Sequence, residues 1–443
     1  MKNKFFCKLT LLILLFLPFY GHAFTFSDLS GTVTDIFAGL VSDSEGETAF
    51  RSLLIPIGGR PESLGSAFTG LCDDSAYINF NSAASCLQKQ TQVSVYHNSW
   101  IADSKMETLA ATTRFENLGL GAQLSCFYLP FTEYNIFGER VNGSYYSETT
   151  AALNISYNFL AGYNFKGIAV GGTVKAAFRN MPDFADDDTG AILQYSGLSQ
   201  SSFGLMADFG VLLQFNFWKK LFYSRDPNVR IGISAQNIGA ALTGLGSNKG
   251  IHIDDPLPTH FAAGMSVKFL PGVTVTADIK QPVNLFNPGS YQMFSAGAGA
   301  VIAFTDNFNL LAGFQLKGAS PRISAGAEFE FEHTRLNLNY TLDFTSSFNP
   351  INRISLSARV LLGDRGRAEK QKIIDDLYLE GLGYYSNFQF EEAIECWNKI
   401  LILHKRYDPA ILGIRSAQTQ INMLNEIRDS MFLDDTAPAS QTE

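Results

Sequence analysis

Charge is scarce in this sequence. Lys, Arg, Asp and Glu together make up 17% of 443 residues, against about 25% in typical soluble domains. Long apolar runs are missing too. Beyond residue 23 no stretch of 18 apolar residues occurs, which excludes a helical span in that part of the chain. A mean hydropathy of +0.03 is likewise too low for a bundle of membrane helices. Five cysteines at wide spacing match no metal motif and are too few for a disulfide scaffold, although a Cys72–Cys86 bond is possible in an oxidising compartment. The formal net charge is −9, which disfavours nucleic acid or an anionic lipid surface as a partner.

Glycine and aromatic residues are plentiful, with 38 Gly, 37 Phe and 17 Tyr. Strands with one apolar and one polar face would produce that mixture. The segment "RLNLNYTLDF" (335–344) alternates without a break. Leu336, Leu338, Tyr340, Leu342 and Phe344 fall on one face, and Arg335, Asn337, Asn339, Thr341 and Asp343 on the other. A soluble sandwich would turn the apolar wall inward; a membrane barrel would turn it outward.

Fourteen such blocks are predicted, at 91–101, 106–115, 118–129, 148–160, 166–178, 203–216, 229–239, 260–270, 272–281, 292–304, 307–317, 321–331, 334–345 and 352–362. Most are 10 to 14 residues long, where globular strands average about 5–6 and tilted membrane strands need about 9–11. The longest connections (130–147, 179–202, 240–259) are the third, fifth and seventh, all odd. The even ones are mostly short, with "WKKLFYSRDPN" the exception. Outer-membrane barrels sort their loops in this way, and an even strand number fits them as well. The fold expected is therefore an all-β membrane protein, a 14-stranded antiparallel outer-membrane barrel. Leu336 to Phe344 would face lipid, and Glu330 would pair with Arg335 across the turn at Glu332-His333.

The flanking segments differ. Residues 1–23 read as a secretory signal, with Lys2, Lys4 and Lys8 ahead of "LTLLILLFLPFY" and a small-residue site ending at Ala23. Its removal would lower the formal charge by a further three. Residues 24–90 lack sustained alternation and are expected to form a plug inside the barrel. After Gly363 the period changes, and three helices are predicted at 367–386, 390–405 and 408–428, within a periplasmic domain of 364–428. Residues 429–443 are expected to be a disordered acidic tail.

The stretch "GGRPESLGSAFTGLCDDSAYINFNSAAS" (58–85) ahead of the barrel (91–363) resembles the FadL-like outer-membrane transporters, whose relatives include PorV-type secretion factors. Gly59, Arg60, Gly65, Asp73, Asp74 and Asn81 match that family's plug pattern; Ser82 and Ser66 depart from it. The resemblance implies diffusion-driven uptake of long-chain fatty acids or similar hydrophobic molecules. The alternative is a PorV-type assembly factor that recruits a periplasmic protein through 367–428. Within that tail "LYLEGLGYYSNFQFEEAIECWNKIL" (377–401) resembles one tetratricopeptide unit, with Gly381, Tyr384, Ala393 and Trp397 at the repeat's packing positions.

For a hydrophobic cargo, the plug residues Leu64, Phe68, Leu71, Tyr77, Ile78 and Phe80 offer an apolar cradle, or equally plug–wall packing. Alternation places Lys175, His260, Lys268, Lys280, Arg335 and Arg359 on the lumen face. Of these Lys175, Lys268, Arg335 and Arg359 are candidates to neutralise a carboxylate, or to pair internally with Glu328, Glu330 or Asp343. No enzyme constellation stands out: His97 and Ser99 share a strand face, but no acid partner is evident nearby in the chain. "DDD" (186–188) reads as a solvated loop ahead of a calcium site. No cofactor and no metal are expected, and the partners expected are outer-membrane lipid and the cargo.

Overall fold

The computed structural model describes residues 48–134, 137–184, 186, 191–217, 226–243, 256–287, 292–317, 320–344 and 351–434. The expected signal (1–23), the first part of the expected plug (24–47), Asp187 with Asp188, and the last residues of the expected tail (435–443) lie outside them. Fourteen strands are present, as the alternation predicts: β1 Gln92–Ser99, β2 Lys105–Phe115, β3 Leu118–Tyr134, β4 Arg140–Phe159, β5 Ile168–Asn180, β6 Ser202–Phe215 and β7 Val229–Thr243, followed by β8 His260–Leu270, β9 Val273–Pro282, β10 Ser295–Thr305, β11 Phe308–Lys317, β12 Ser320–Glu330, β13 Thr334–Asp343 and β14 Ile351–Leu361. Each pairs antiparallel with the next, and β1 pairs with β14 to close the barrel.

One connection differs from expectation. Residues 130–147 are mostly strand, because β3 and β4 run 17 and 20 residues. Their register holds from Leu118↔Tyr157 to Glu133↔Asn142 before a bulge at Tyr134. The polar and aromatic residues of "FTEY" (131–134) and "VNGSYYSE" (141–148) include no Pro to interrupt the ladder. Gly138, at φ +79°, then supplies the left-handed residue of the turn. Twenty extended residues span roughly 65 Å, about twice the thickness of a bilayer core.

The faces are sorted the opposite way from a soluble protein. On β13 Leu336, Leu338 and Tyr340 are exposed, while Asn337, Asn339, Thr341 and Asp343 are buried. Leu153 and Val174, on β4 and β5, are 71% and 64% exposed. Phe344, just past the end of β13, is buried and breaks the pattern. Glu330 and Arg335 are register partners and form the expected ion pair.

Residues 48–91 pack against the polar inner wall. They include the four-residue helix α1 (Arg60–Ser63) and 3-10 turns at Arg51–Leu54, Ser75–Asn79 and Ser82–Leu87. Leu64, Phe68, Leu71, Tyr77, Ile78 and Phe80 form their apolar core. Asp74 and Asn81 each start a turn by accepting an N–H two residues ahead, from Ala76 and Ala83. Cys72 and Cys86 are free thiols, so the bond considered from sequence is not formed. Each Sγ instead donates to a carbonyl one turn back, Phe68 and Ala83 respectively.

The second unit comprises Leu160–Gly167 and the chain from Asp364 onward. Its helices are α2 (Arg367–Ser386), α3 (Phe390–Leu403) and α4 (Asp408–Asp434). Trp397 is buried against Gly381 and Gly413, where a β-carbon would stand 2.4 and 2.8 Å from its ring. Ala393 is buried beside it. The third helix runs six residues past the expected end at 428, since "RDSMFLD" contains neither Gly nor Pro to stop it. Within this unit the Tyr163 and Tyr407 rings pack edge-on, 5.0 Å apart.

Leu338→Arg tests the reversed sorting. An exposed Leu of a soluble protein would tolerate it, but on a lipid-facing wall Arg costs roughly 2–4 kcal/mol at mid-depth. The variant should lose the heat-modifiable gel band of the folded barrel, and Leu338→Phe should keep it. Equal mobility for the two would contradict the assignment.

Candidate functional site

Two cavities lie in the lumen, one toward each end of the barrel. Between them the segment 58–88 is bonded to almost the whole wall. Ser75 bonds to Ser94 on β1, Tyr77 to Thr112 on β2, and Asn79 to Gln123 on β3. The Cys86 N–H donates to Ser156 on β4, Ser82 bonds to Thr173 on β5, and Asn81 donates to the Val211 carbonyl on β6. Ser234 on β7 donates to the Phe80 carbonyl. Asp278 on β9 accepts both the Phe68 and Thr69 N–H groups, at 2.8 and 2.6 Å.

Glycine in the wall makes this contact close enough. A β-carbon at Gly119 would stand 2.1 Å from the Cys86 nitrogen, and at Gly171 2.2 Å from the Ser82 oxygen. At Gly232 it would stand 2.2 Å from the Thr69 oxygen, and at Gly313 2.1 Å from the Gly65 nitrogen. Side chains there would push the plug backbone away from its partners. Close backbone approach thereby accounts for these wall glycines, which alternation alone does not reveal.

Helix α1 carries two charges into two buried clusters. Arg60 pairs with Glu328 at 2.6 Å and Asp73 at 3.0 Å, and Arg359 joins Glu328 to Asp74. Glu62 lies 3.7 Å from Arg353, which pairs with Asp343 at 2.9 Å; Arg322 pairs with the same Asp343 at 2.7 Å. Arg353 also lies over the Trp100 ring, at 3.9 Å. Burial pushes the Glu62 and Asp74 carboxyls above the usual carboxylate range, opposed by Arg353 and Arg359. Of the family-pattern residues, Arg60, Asp73 and Asp74 thus sit in one cluster. Gly59 donates its N–H to Ser355, and Gly65 abuts β10 and β11.

The first cavity, of about 150 Å³, lies at the end that carries the β7–β8 and β9–β10 connections. Its apolar lining comes from Leu53, Leu54, Ile55, Ile57, Phe80 and Met293. Its basic side chains among the described lining residues are Arg51, His260, Lys280, Lys317 and Arg322, and none of those lining residues is a carboxylate. Lys280 Nζ stands 4.2 Å from the Phe80 ring centroid, and Phe80 packs on Phe68 at 5.4 Å. The second cavity, of about 490 Å³, lies at the opposite end, and its lining mixes Arg60, Arg230, Lys268 and Arg335 with Asp73, Asp226, Glu328 and Glu330.

The residues expected to hold a ligand are therefore divided. Phe80 lines the first cavity; Leu71, Lys268 and Arg335 line the second. Leu64, Phe68, Tyr77 and Ile78 are buried within the plug. Lys175 is paired with Asp208 at 2.6 Å, and Arg359 with Glu328. The run "LLIPI" (53–57), just ahead of Gly58-Gly59, escaped notice as a lining element. Its signal was an apolar run ending at two glycines, both of which have positive φ.

These features define a closed fourteen-stranded antiparallel barrel whose polar lumen holds an N-terminal segment and a partly apolar cavity with no carboxylate among its described lining residues. Residues 31–365 match the uncharacterised protein family UPF0164, and the chain belongs to that family. A UPF0164 protein of Treponema pallidum (strain Nichols) is 26% identical over 385 residues, 84% of this chain and 83% of the relative. Among solved structures, the Ralstonia pickettii toluene transporter TbuX overlaps 69% of this chain and 98% of its own, at 13% identity and a TM-score of 0.44. A Pseudomonas aeruginosa FadL homologue overlaps 68% and 96%, at 10% and 0.39. Overlaps this loose leave function to be argued from the chain's own residues.

Gly313→Val should dislodge the plug without opening the barrel. The expected result is retained heat-modifiable mobility with new tryptic cleavage at Arg51. A variant as resistant as wild type would show that the close approach at Gly65 is not required.

Proposed function

We propose that the chain is an outer-membrane channel for diffusion-driven uptake of long-chain fatty acids or similar amphiphiles. The first cavity carries the reading. An apolar lining beside several cationic side chains, with no described carboxylate, fits a molecule with an acyl chain and one anionic head. Such a head would be costly to desolvate unless a cation received it. The reversed sorting of wall and lumen supports a bilayer as surroundings, and export by the predicted signal would deliver the chain there. In this reading the long-loop end faces outward, the helices lie in the periplasm, and the plug must rearrange for cargo to leave toward the second cavity.

A PorV-type role remains a second reading because α4 exposes Leu412, Met423, Leu424 and Ile427, an apolar set for a periplasmic protein to cover. Deleting 364–443 separates the two. Fatty-acid uptake should survive the deletion if the channel reading holds, whereas loss of uptake along with captured partner protein would favour the assembly role.

Lys280→Gln tests the cavity itself. Removing a charged hydrogen-bond partner should weaken fatty-acid binding by about tenfold or more, with little effect on an uncharged hydrocarbon of equal length. Titration of both ligands against purified protein in detergent checks this. Equal affinities for the acid in wild type and variant would remove Lys280 from the site.

A further inference from the structure

His97 has an acid partner in the fold. Its Nδ1 lies 2.7 Å from Oε1 of Glu107, its register partner across β1 and β2. Its Nε2 lies 3.2 Å from the hydroxyl of Ser99, two residues along the same strand. All three face away from the lumen. The inner face of β1 is taken by Ser94, Tyr96 and Asn98, all buried, whereas His97, Ser99 and Glu107 are partly exposed on the other side. Lys105, the register partner of Ser99, is exposed on that same face. Below them Val95, Leu109 and Leu356 form exposed apolar wall.

We propose that Ser99, His97 and Glu107 form a second site, on the outer wall beside the β1–β2 connection, that hydrolyses the carboxylic esters of acyl lipids. With Glu107 accepting the Nδ1–H, the imidazole is left with Nε2 as an acceptor toward the Ser99 hydroxyl. That is the polarity a general base needs. Strand geometry produces it: i and i+2 share a face, and the cross-strand position supplies the third group. A Glu–His pair serving only to hold two strands together would not require a hydroxyl on the far nitrogen.

The chemistry balances without another reagent. Ser99 Oγ attacks the ester carbonyl, its proton passes to Nε2, and the new C–O bond gives a tetrahedral oxyanion beside the Lys105 cation. Collapse breaks the ester C–O bond, and the alcohol departs with the proton from Nε2. Water, deprotonated by the same nitrogen, then cleaves the acyl-serine to a free fatty acid and restores Ser99. The apolar wall positions the acyl chain, and the site needs no access to the lumen. Its failure would leave the channel reading untouched.

The test uses the full-length folded protein in detergent. Hexadecanesulfonyl fluoride should add once, at Ser99, by intact-mass and peptide analysis, and phosphatidylcholine in mixed micelles should release fatty acid. Ser99→Ala and His97→Asn should lower release by at least about a hundredfold, and Glu107→Gln by about tenfold or more, at unchanged heat-modifiable mobility. Wild type that takes no adduct at Ser99, or release equal in wild type and Ser99→Ala, overturns the proposal. Should Ser99→Ala not fold, the position of the adduct on wild type decides alone.

Discussion

Barrel closure is the constraint from which the rest of the structure follows. A sheet of fourteen strands has two unpaired edges unless β1 meets β14, and in hydrocarbon an unpaired edge has no water to turn to. Pairing Gln92↔Leu361 through Asn98↔Ser355 removes it. Closure also commits each strand to one inward and one outward row of side chains. With the apolar row outward, the inward row is necessarily polar, and a lumen full of Asn, Thr, Asp and Arg needs partners.

The plug supplies them. Residues 58–88 bring backbone N–H or C=O groups to polar side chains on β4, β7, β8, β9 and β14, and polar side chains to β1, β2, β3, β5, β6, β11, β12 and β13, and glycine in the wall lets them come close. The ion clusters around Glu328 and Asp343 extend the same logic, since each buried carboxylate lies between two arginines. Removing one partner of such a cluster leaves an uncompensated charge, typically a loss of about 3–5 kcal/mol. A plug held in this way separates the two cavities, and only its rearrangement would join them. The apolar residues left over, Leu53 to Ile57 with Phe80, line the first cavity.

How much of this was legible in the sequence depended on how local the signal was. Strands such as 335–344 announce themselves because the period is two and each residue reports its own face. Glu330 and Arg335 were pairable on paper because a tight turn separates them. Arg60 and Glu328 were not, since they stand 268 positions apart and nothing local links them. The hairpin within 130–147 reads as a loop in the sequence because polar and aromatic residues interrupt its alternation. The apolar plug residues were visible, but whether Leu64 or Ile55 faces space depends on wall glycines scattered over many strands. Glu107 was missed as a partner of His97 for a related reason: only the β1–β2 register, not chain distance, sets them opposite.

The proposed acyl-chain site lies in the first cavity, closed on one side by the plug. Mass spectrometry of an organic extract from the purified protein tests it most directly, comparing wild type with Ile55→Asp, which places a carboxylate in the apolar lining. Wild type should carry stoichiometric fatty acid or a similar amphiphile, and the variant should lose it at equal folded yield. Equal lipid content in the two proteins, or none in wild type, would contradict it.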